Sequence, residues 1–121
     1  MRKVDLARKF ASFSDLWSPK VAGELNGQQV KLAKLHGEFV WHHHDDEDEM
    51  FFVLEGSLKI LFRDKEVLLE KGEFLVVPRS VEHKPVADEP ACVLLFEPAT
   101  TRNTGNVDHE YTIEADDLDH I

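Results

Sequence analysis

Residues 41–56 have the sequence WHHHDDEDEMFFVLEG, a histidine cluster followed by an acidic block and then by an apolar run. In an extended strand, side chains alternate between the two faces, which places His42 and His44 on the same face. The polar stretch 45–48 turns the chain, and Glu49 begins the next strand. An antiparallel neighbour can therefore bring one carboxylate beside two imidazoles.

This stretch predicts a metal site that a residue far along the chain would complete. His83 follows a proline-containing turn and heads another predicted strand, so it can reach the cluster. Three neutral imidazoles and one carboxylate suit a divalent first-row transition metal, and Mn, Fe, Ni and Zn are all candidates. Six-coordinate geometry leaves positions for water or substrate, whereas a closed shell of protein ligands around zinc would be purely structural.

The alternative is a solvent-exposed tract that binds metal only adventitiously, or a charged loop without a ligand. Residues 39–41 precede the histidines and the apolar run 50–54 follows the acids, so the block is held between two core strands. This bracketing favours a specific site. The four other histidines are expected to pack or to lie on the surface: His36, His43, His109 and His120.

Alternating apolar residues and closely spaced turn signals in the rest of the chain predict an all-β fold. Asn26-Gly27 is a strong two-residue hairpin signal, because both central positions of a type I′ turn need positive φ. About eight or nine short strands are predicted, which is typical of a sandwich or barrel. The clearest are Lys20–Leu25, Gln28–Leu35, Glu38–His44, Met50–Leu54, Glu66–Glu70, Glu73–Val77, Val81–Val86 and Ala91–Glu97.

Two motifs in this order resemble those of the cupin superfamily. The first cupin motif contains a glycine, a His-x-His pair, a glutamate and a second glycine, and the second motif contains a glycine, a proline and then a histidine. The matching residues are Gly37, His42, His44, Glu49 and Gly56, followed by Gly72, Pro78 and His83. The whole chain resembles small bacterial single-domain cupins of the mannose-6-phosphate-isomerase-like group, and the similarity covers about Val21–Glu97.

The resemblance implies an all-β double-stranded β-helix, a jelly-roll cupin barrel with a short N-terminal helix. It divides the single domain into a helical segment at 1–20, the barrel at 21–97 and an acidic tail at 98–121. It also implies that the metal lies inside one mouth of the barrel. The ligand roles fall, position by position, on His42, His44, Glu49 and His83.

The chain departs from the family pattern at two positions of the second motif. Cupins usually have glycine shortly after the proline and often asparagine shortly after the histidine, where this chain has Ser80 and Ala87. Neither change removes a ligand. Of the cations that a phosphorylated sugar needs, only Arg79 and Lys84 lie near the motifs, which gives little support to a phosphosugar substrate.

We expect a metal-dependent enzyme that acts on a small organic molecule, by Lewis-acid isomerase-type chemistry or by oxygenase-type chemistry with iron. Phe51 shares the face of Glu49 and is expected to line the substrate pocket, as is Phe62. The sequence pattern offers no general acid or base outside the metal cluster. The alternative is a non-catalytic module of the same fold that binds a small molecule or metal as a sensor or store.

The N-terminal segment carries an apolar stripe, formed by Leu6, Phe10, Phe13 and Trp17, at the spacing of one helix face. Ser18-Pro19 would end this helix. The stripe can cover the barrel of its own chain or that of a neighbour. Because barrels of this type pair through edge strands that need covering, we expect a homodimer.

The chain has 121 residues and a formal net charge of −10, from 14 basic and 24 acidic side chains. It lacks the basic footprint that nucleic acid requires, and the acidic balance disfavours anionic lipid surfaces. No stretch approaches the length of a membrane-spanning helix, and the N-terminus lacks the apolar core of a secretory signal. Cys92 is the one cysteine, which excludes an internal disulfide, and we expect a cytoplasmic protein.

Overall fold

Seven β-strands and one short helix make up the computed structural model of the chain, which describes residues 1–121. The helix is α1, Leu6–Ala11, and the strands are β1, Lys20–Leu25; β2, Gln28–Glu38; β3, Glu49–Glu55; β4, Ser57–Leu61; β5, Glu66–Glu70; β6, Phe74–Val77; and β7, Lys84–Pro98. All strand pairs are antiparallel, which confirms the predicted all-β jelly-roll barrel with a short N-terminal helix. None of the helices has the length and apolar character needed to cross a membrane.

The longest strand, β7, joins the two parts of the barrel. Its first residues pair with β4, where Lys84 faces Leu61, and its later residues pair with β3, where Leu95 faces Phe51. Strand β2 runs antiparallel to β7 from Gln28 to Glu38. The sheet order is β1-β2-β7-β3-β6, with β4 and β5 attached through β7. The barrel therefore depends on β7, which alone pairs with three other strands.

Alternate residues of the strands fill the core. Phe51 and Val53 in β3 and Leu58 and Ile60 in β4 are buried, whereas the residues between them are partly exposed. Apolar residues on one face of a pleated strand produce this period-two pattern. Burying one such side chain stabilises the fold by about 1.5–3 kcal/mol, so this inner face holds the barrel closed.

The N-terminal helix is shorter than the apolar stripe, and the prediction that it extends to Trp17 is wrong. The helix ends at Ala11, and Trp17 has a positive φ of 56°. Its indole is buried, stacks on Phe39 at 4.9 Å between ring centroids, and donates an Nε1–H hydrogen bond to the carbonyl oxygen of His36. Leaving the helix lets Trp17 reach the interior, so the segment covers its own barrel.

Of the stretch 38–44, predicted as a strand, Glu38 is the last residue of β2, and residues 39–44 pair with the rest of the chain at a single bridge. This bridge joins His42 to His83. The alternation of side chains nevertheless holds, because His42 and His44 are buried and His43 is partly exposed. The chain therefore keeps the strand-like phase that places two imidazoles inside.

The two strands predicted at 81–86 and 91–97 form one strand, β7. The residues between them, Asp88–Pro90, are exposed and have no partner on β2, because the pairing passes from Ala87 directly to Ala91. Proline has no backbone N–H to give to a ladder. Its position in this unpaired stretch leaves no hydrogen bond of the sheet unmade, so the strand continues through it.

The C-terminal residues 98–121 pack on the barrel and do not form a solvated tail. Thr101 and Thr104 are fully buried. The backbone N–H of Ile121 donates to the carbonyl oxygen of Val21, 2.9 Å away, which ties the end of the chain to β1. The acidic side chains of this segment therefore sit on a chain whose backbone is fixed.

Ser80, which stands where cupins usually have glycine, has a φ of 70° in the left-handed region. For a residue with a side chain, this backbone conformation is unfavourable by about 1–2 kcal/mol, and glycine avoids that strain. Part of the advantage is lost, because glycine has more conformational freedom to give up when the unfolded chain folds. We expect Ser80→Gly to raise the free energy of unfolding by about 0.5–1 kcal/mol, measured by urea denaturation.

The matched control is Ser57→Gly at the start of β4, where the conformation is ordinary strand. Glycine there gains nothing and is expected to lower the free energy of unfolding by about 0.5–1 kcal/mol. Equal destabilisation by both substitutions would show that the left-handed conformation of Ser80 is not strained.

Candidate metal centre

Four side chains from separate parts of the chain meet inside the barrel. His42 and His44 lie on the connection between β2 and β3. Glu49 is the first residue of β3, and His83 directly precedes β7. One potential ligand atom from each residue lies within 4.8 Å of the others, and none of the four residues is more than 4% exposed. The structure therefore brings together the four residues that the sequence selects.

Backbone pairing holds two of these residues face to face. The N–H of His42 donates to the carbonyl oxygen of His83 at 3.0 Å, and the N–H of His83 donates to that of His42 at 2.9 Å. The ring centroids are 4.3 Å apart as a result. The relative position of the two imidazoles is thus fixed by the main chain and does not depend on side-chain packing alone.

The same two imidazoles have their protonation pattern fixed by backbone carbonyls. Nδ1 of His42 lies 2.9 Å from the oxygen of Val40, and Nδ1 of His83 lies 2.9 Å from the oxygen of Val81. A carbonyl oxygen only accepts, so each Nδ1 carries the hydrogen. Each neutral ring therefore has its lone pair on Nε2, the arrangement found in metal-binding histidines.

His44 is the member of the cluster that lacks hydrogen bonds. Both of its ring nitrogens are buried and have no hydrogen-bond partner, although Nε2 lies 3.3 Å from Oε1 of Glu49. A buried polar group without a partner is destabilising by about 1–3 kcal/mol. A cation bound by the cluster would give one of these nitrogens a partner, so the residues present fit a metal ion.

The electrostatics of the cluster favour a carboxylate on Glu49 and a neutral imidazole on His42. Burial raises the pKa of Glu49, but the adjacent imidazoles of His44 and His83 outweigh it and hold that pKa well below its usual range. Burial, followed by the neighbouring His83, lowers the pKa of His42 to about 4. At neutral pH this combination is ready to receive a cation without first losing a proton from His42.

A second buried carboxyl group, Glu97, lies next to the cluster and was not expected from the sequence. Burial, followed by the negative charge of Glu49, raises the pKa of Glu97 well above its usual range. Lys31 donates to its Oε1 from Nζ at 2.8 Å. The sequence does indicate that Glu97 is buried, because it continues the inward-facing alternation of Val93 and Leu95 along β7.

An apolar cavity adjoins the cluster. Its volume is about 40 Å³, and His42, Glu49 and Glu97 lie on its wall. Phe51, expected in the substrate pocket, lines this cavity, whereas Phe62 lines a separate groove on the surface. Most of the remaining wall is apolar, so a small organic molecule is the kind of ligand that the cavity suits.

The C-terminal segment passes over the cluster at Gly105 and Asn106. Gly105 has a φ of 56°, and a Cβ added to it would lie 2.1 Å from the carbonyl oxygen of His43. The N–H of Asn106 donates to that same oxygen, and its Oδ1 accepts from the N–H of His43. No motif or periodicity in the sequence indicates this contact, which only glycine permits.

The remaining histidines lie outside the cluster. His43 is partly exposed, and its Nε2 is 2.9 Å from Oδ1 of Asp45. The other three are exposed: His36, His109 and His120.

The fold and this cluster define a class of protein, the jelly-roll barrels with a mixed histidine and carboxylate site in their interior. The family described as Cupin domain matches residues 28–97, more than half of the chain. The chain therefore belongs to the cupin family.

Similar proteins include one with a solved structure. The cupin-2 domain containing protein from Shewanella frigidimarina NCIMB 400 is 48% identical, with a TM-score of 0.78 over 78% of this chain and 93% of that chain. The uncharacterized protein YdbB of Bacillus subtilis (strain 168) is 41% identical over 66% of each chain. The tetracenomycin polyketide synthase protein TcmJ of Streptomyces glaucescens is 32% identical over 64% of this chain and 52% of its own length.

The low pKa of His42 predicts how the stability of the metal-free protein depends on pH. Above pH 6.5, His42 is neutral in both the folded and the unfolded chain and contributes no pH dependence. Between that pH and about 4, the unfolded chain binds the proton and the folded chain does not. The free energy of unfolding should therefore fall as the pH is lowered through this window, by up to about 3 kcal/mol from His42.

The contribution of His42 to the pH dependence of stability can be isolated by comparing His42→Gln with the unaltered protein. The free energy of unfolding of both is measured by urea denaturation at several pH values. The stability difference between the two should shrink or reverse as the pH is lowered from 7 to 4. His36→Gln, which changes an exposed ring, should follow the unaltered protein throughout. Parallel pH profiles for the unaltered protein and His42→Gln would contradict the assignment of a buried, neutral imidazole.

Proposed function

We propose that this cupin binds one divalent first-row transition metal ion, Mn, Fe, Ni or Zn, and acts as an enzyme on a small organic molecule held beside it. The ligands in this proposal are His42, His44, Glu49 and His83. The observation that carries the proposal is the convergence of one potential ligand atom from each of these four buried residues within 4.8 Å of the others. A cation shared by the four residues would balance the buried carboxylate of Glu49 among three imidazoles.

The chain's own residues supply the environment for such an ion. The carbonyl oxygens of Val40 and Val81 orient two imidazoles, and Glu49 provides one negative charge. When bound, the metal would supply Lewis-acid polarisation of a substrate oxygen for isomerase-type chemistry or, if it is iron, activation of dioxygen for oxygenase-type chemistry. The apolar wall of the cavity keeps bulk water away from the reacting group and strengthens each electrostatic interaction there.

The position of the cavity favours a substrate-binding centre over a purely structural metal. Structural zinc sites are closed by four protein ligands. Here His42 and Glu49 also line a cavity, so space for a further ligand adjoins the cluster. A non-catalytic module that binds a small molecule beside its metal is the second candidate, because Glu97 is the one acid-base side chain on the cavity wall outside the proposed ligands, and it is already paired with Lys31.

A phosphosugar substrate, as the name of the mannose-6-phosphate-isomerase-like group would suggest, fits this cavity poorly. No lysine or arginine lies on the cavity wall, and two carboxyl groups, those of Glu49 and Glu97, do. A phosphate in this position would meet the negative charge of Glu49 without a lysine or arginine on the cavity wall to balance it. The relationship to TcmJ, a polyketide synthase protein by name, agrees better with an organic substrate that lacks phosphate.

Protein purified without a metal-affinity tag should contain close to one metal ion per chain by elemental analysis. His42→Ala and His83→Ala should each lose the metal, because each removes one imidazole from a shell of four protein ligands. His43→Ala is the matched control, since it removes the neighbouring histidine whose ring lies outside the cluster and should retain the metal. Retention of metal by both His42→Ala and His83→Ala would disprove the site.

The metal-loaded protein then separates the candidate functions. With Mn²⁺ in the site, fast exchange of a bound water should enhance the relaxation of solvent protons, as an open coordination position allows. A closed shell without exchangeable water would rule out the enzyme and leave a structural metal. A small molecule that displaces the water without being converted would support the binding module.

We also propose that the protein is a homodimer formed through β6. This strand lies at one edge of the sheet, and two of its side chains, Phe74 and Val76, are 61% and 49% exposed. They alternate with the inward-facing Leu75 and Val77, so they share the outer face. An apolar edge strand with free backbone groups favours pairing with another strand, and a second copy offers the same edge.

Light scattering should give a mass near twice the 13.9 kDa of one chain. The double substitution Phe74→Glu and Val76→Lys should return the mass to that of a single chain, because charges replace the apolar edge. Leu25→Glu, an exposed leucine on β1, is the control and should leave the mass unchanged. A mass of one chain for the unaltered protein would refute the dimer.

A further inference from the structure

Three ionisable side chains form a row across the inner face of the sheet. Lys31, Glu97 and Glu49 belong to β2, β7 and β3, which are neighbours in the sheet order. None of the three residues is more than 4% exposed. Burying ionisable groups is unfavourable unless they are paired, so the members of the row depend on one another for partners.

The register of the strands brings these side chains together. Lys31 faces the residue two positions before Glu97 on β7, a diagonal that long side chains can span. Met50 faces Phe96 across β3 and β7. In an antiparallel ladder the following position sets Glu49 opposite Glu97, where the Cβ atoms are about 4.5–5.5 Å apart. Glu97 therefore stands between Lys31 and the metal cluster.

Hydrogen bonds connect the members of the row. Nζ of Lys31 donates to Oε1 of Glu97 at 2.8 Å, and the carboxyl groups of Glu97 and Glu49 are hydrogen-bonded to each other. No N–H group reaches the second oxygen of Glu97, Oε2, which is buried. Oε1 of Glu49 lies 3.3 Å from Nε2 of His44 and 3.3 Å from Nε2 of His83. Glu49 is therefore held from two sides, by the imidazoles of the cluster and by Glu97.

The hydrogen bond between the two carboxyl groups needs a hydrogen on one of them. Burial, followed by the negative charge of Glu49, raises the pKa of Glu97. Burial also disfavours the charge on Glu49, but the hydrogen bonds with His44 and His83 outweigh it and lower the pKa of Glu49. Glu97 is thus the carboxyl group that donates, while its Oε1 accepts from Lys31.

We propose that Glu97, held in place by Lys31, is a positioning residue of the metal centre and fixes the orientation of Glu49. Its hydrogen bond to one oxygen of Glu49 leaves the other oxygen facing the imidazoles of His44 and His83. This inference rests on the function proposed above, because Glu49 is one of the four ligands in that proposal. Carboxylates that bind metal are themselves hydrogen-bonded, and loss of such a partner typically lowers metal affinity about 10- to 100-fold.

The first measurement is the affinity of the metal-free protein for Zn²⁺, obtained by competition with a chromophoric chelator. The double substitution Lys31→Met and Glu97→Leu removes the hydrogen bond to Glu49 without leaving one buried charge unpaired. We expect the affinity for Zn²⁺ to fall about 10- to 100-fold, while the urea midpoint of the metal-free variant stays the same or rises. A lower midpoint with unchanged affinity of the folded protein would show a merely structural pair and overturn the proposal.

Glu97→Gln separates hydrogen bonding from charge. The amide group can donate to Glu49 and accept from Lys31, so this variant should bind Zn²⁺ as the unaltered protein does. Loss of affinity in Glu97→Gln would overturn the proposal, because it would indicate that Glu97 acts through its charge. The matched control is Lys71→Met with Glu55→Leu, which replaces an exposed pair of the same two residue types and should leave the affinity unchanged.

Crystal structures of the metal-free proteins give a readout that needs no metal. Glu49 should hold one conformation in the unaltered protein and in Glu97→Gln, and should turn away from the imidazoles in the double variant. An unchanged Glu49 in the double variant would overturn the proposal. Failure of the proposed function is distinguishable from this result. An unaltered protein that takes up no Zn²⁺, but whose Glu49 turns when Glu97 is replaced, would refute the metal site alone, whereas Zn²⁺ uptake with an unchanged Glu49 would refute the positioning role alone.

Discussion

Two backbone hydrogen bonds between His42 and His83 hold the site of this cupin together. They join the segment before β3 to the segment before β7, the strand that pairs with three others. Burial, together with the neighbouring His83 that the main chain holds close, lowers the pKa of His42. Glu49, whose pKa is held well below its usual range, supplies a negative charge that a cation can neutralise.

Much of this site follows from local patterns in the sequence. His42 and His44 are two residues apart, so their side chains lie on the same side of an extended chain. Glu49 begins a strand that can be recognised by the apolar run after it. His83 follows a turn that contains proline. These are short-range features, and the alternation of side chains holds even where the chain makes only one bridge to the sheet.

The features that sequence reasoning missed depend on contacts between distant residues. Lys31 and Glu97 are 66 positions apart and meet only because β2 pairs with β7 in one register. The helical spacing of the apolar residues near the N-terminus does not show where the helix ends. It therefore could not show that Trp17 lies beyond the helix and enters the core. The approach of Gly105 to His43 involves backbone atoms, which leave no trace in a pattern of side-chain types.

The covering of the site by Gly105 and its neighbours has a kinetic consequence. The match to the cupin family ends at residue 97, so this covering chain lies outside the matched part. How tightly a buried ligand is held depends on its contacts, but its dwell time also depends on how often the covering chain opens. In this protein Gly105 and Asn106, which lie outside the matched part of the chain, contact His43 between two residues of the cluster, so a ligand can leave on that side only when these contacts break.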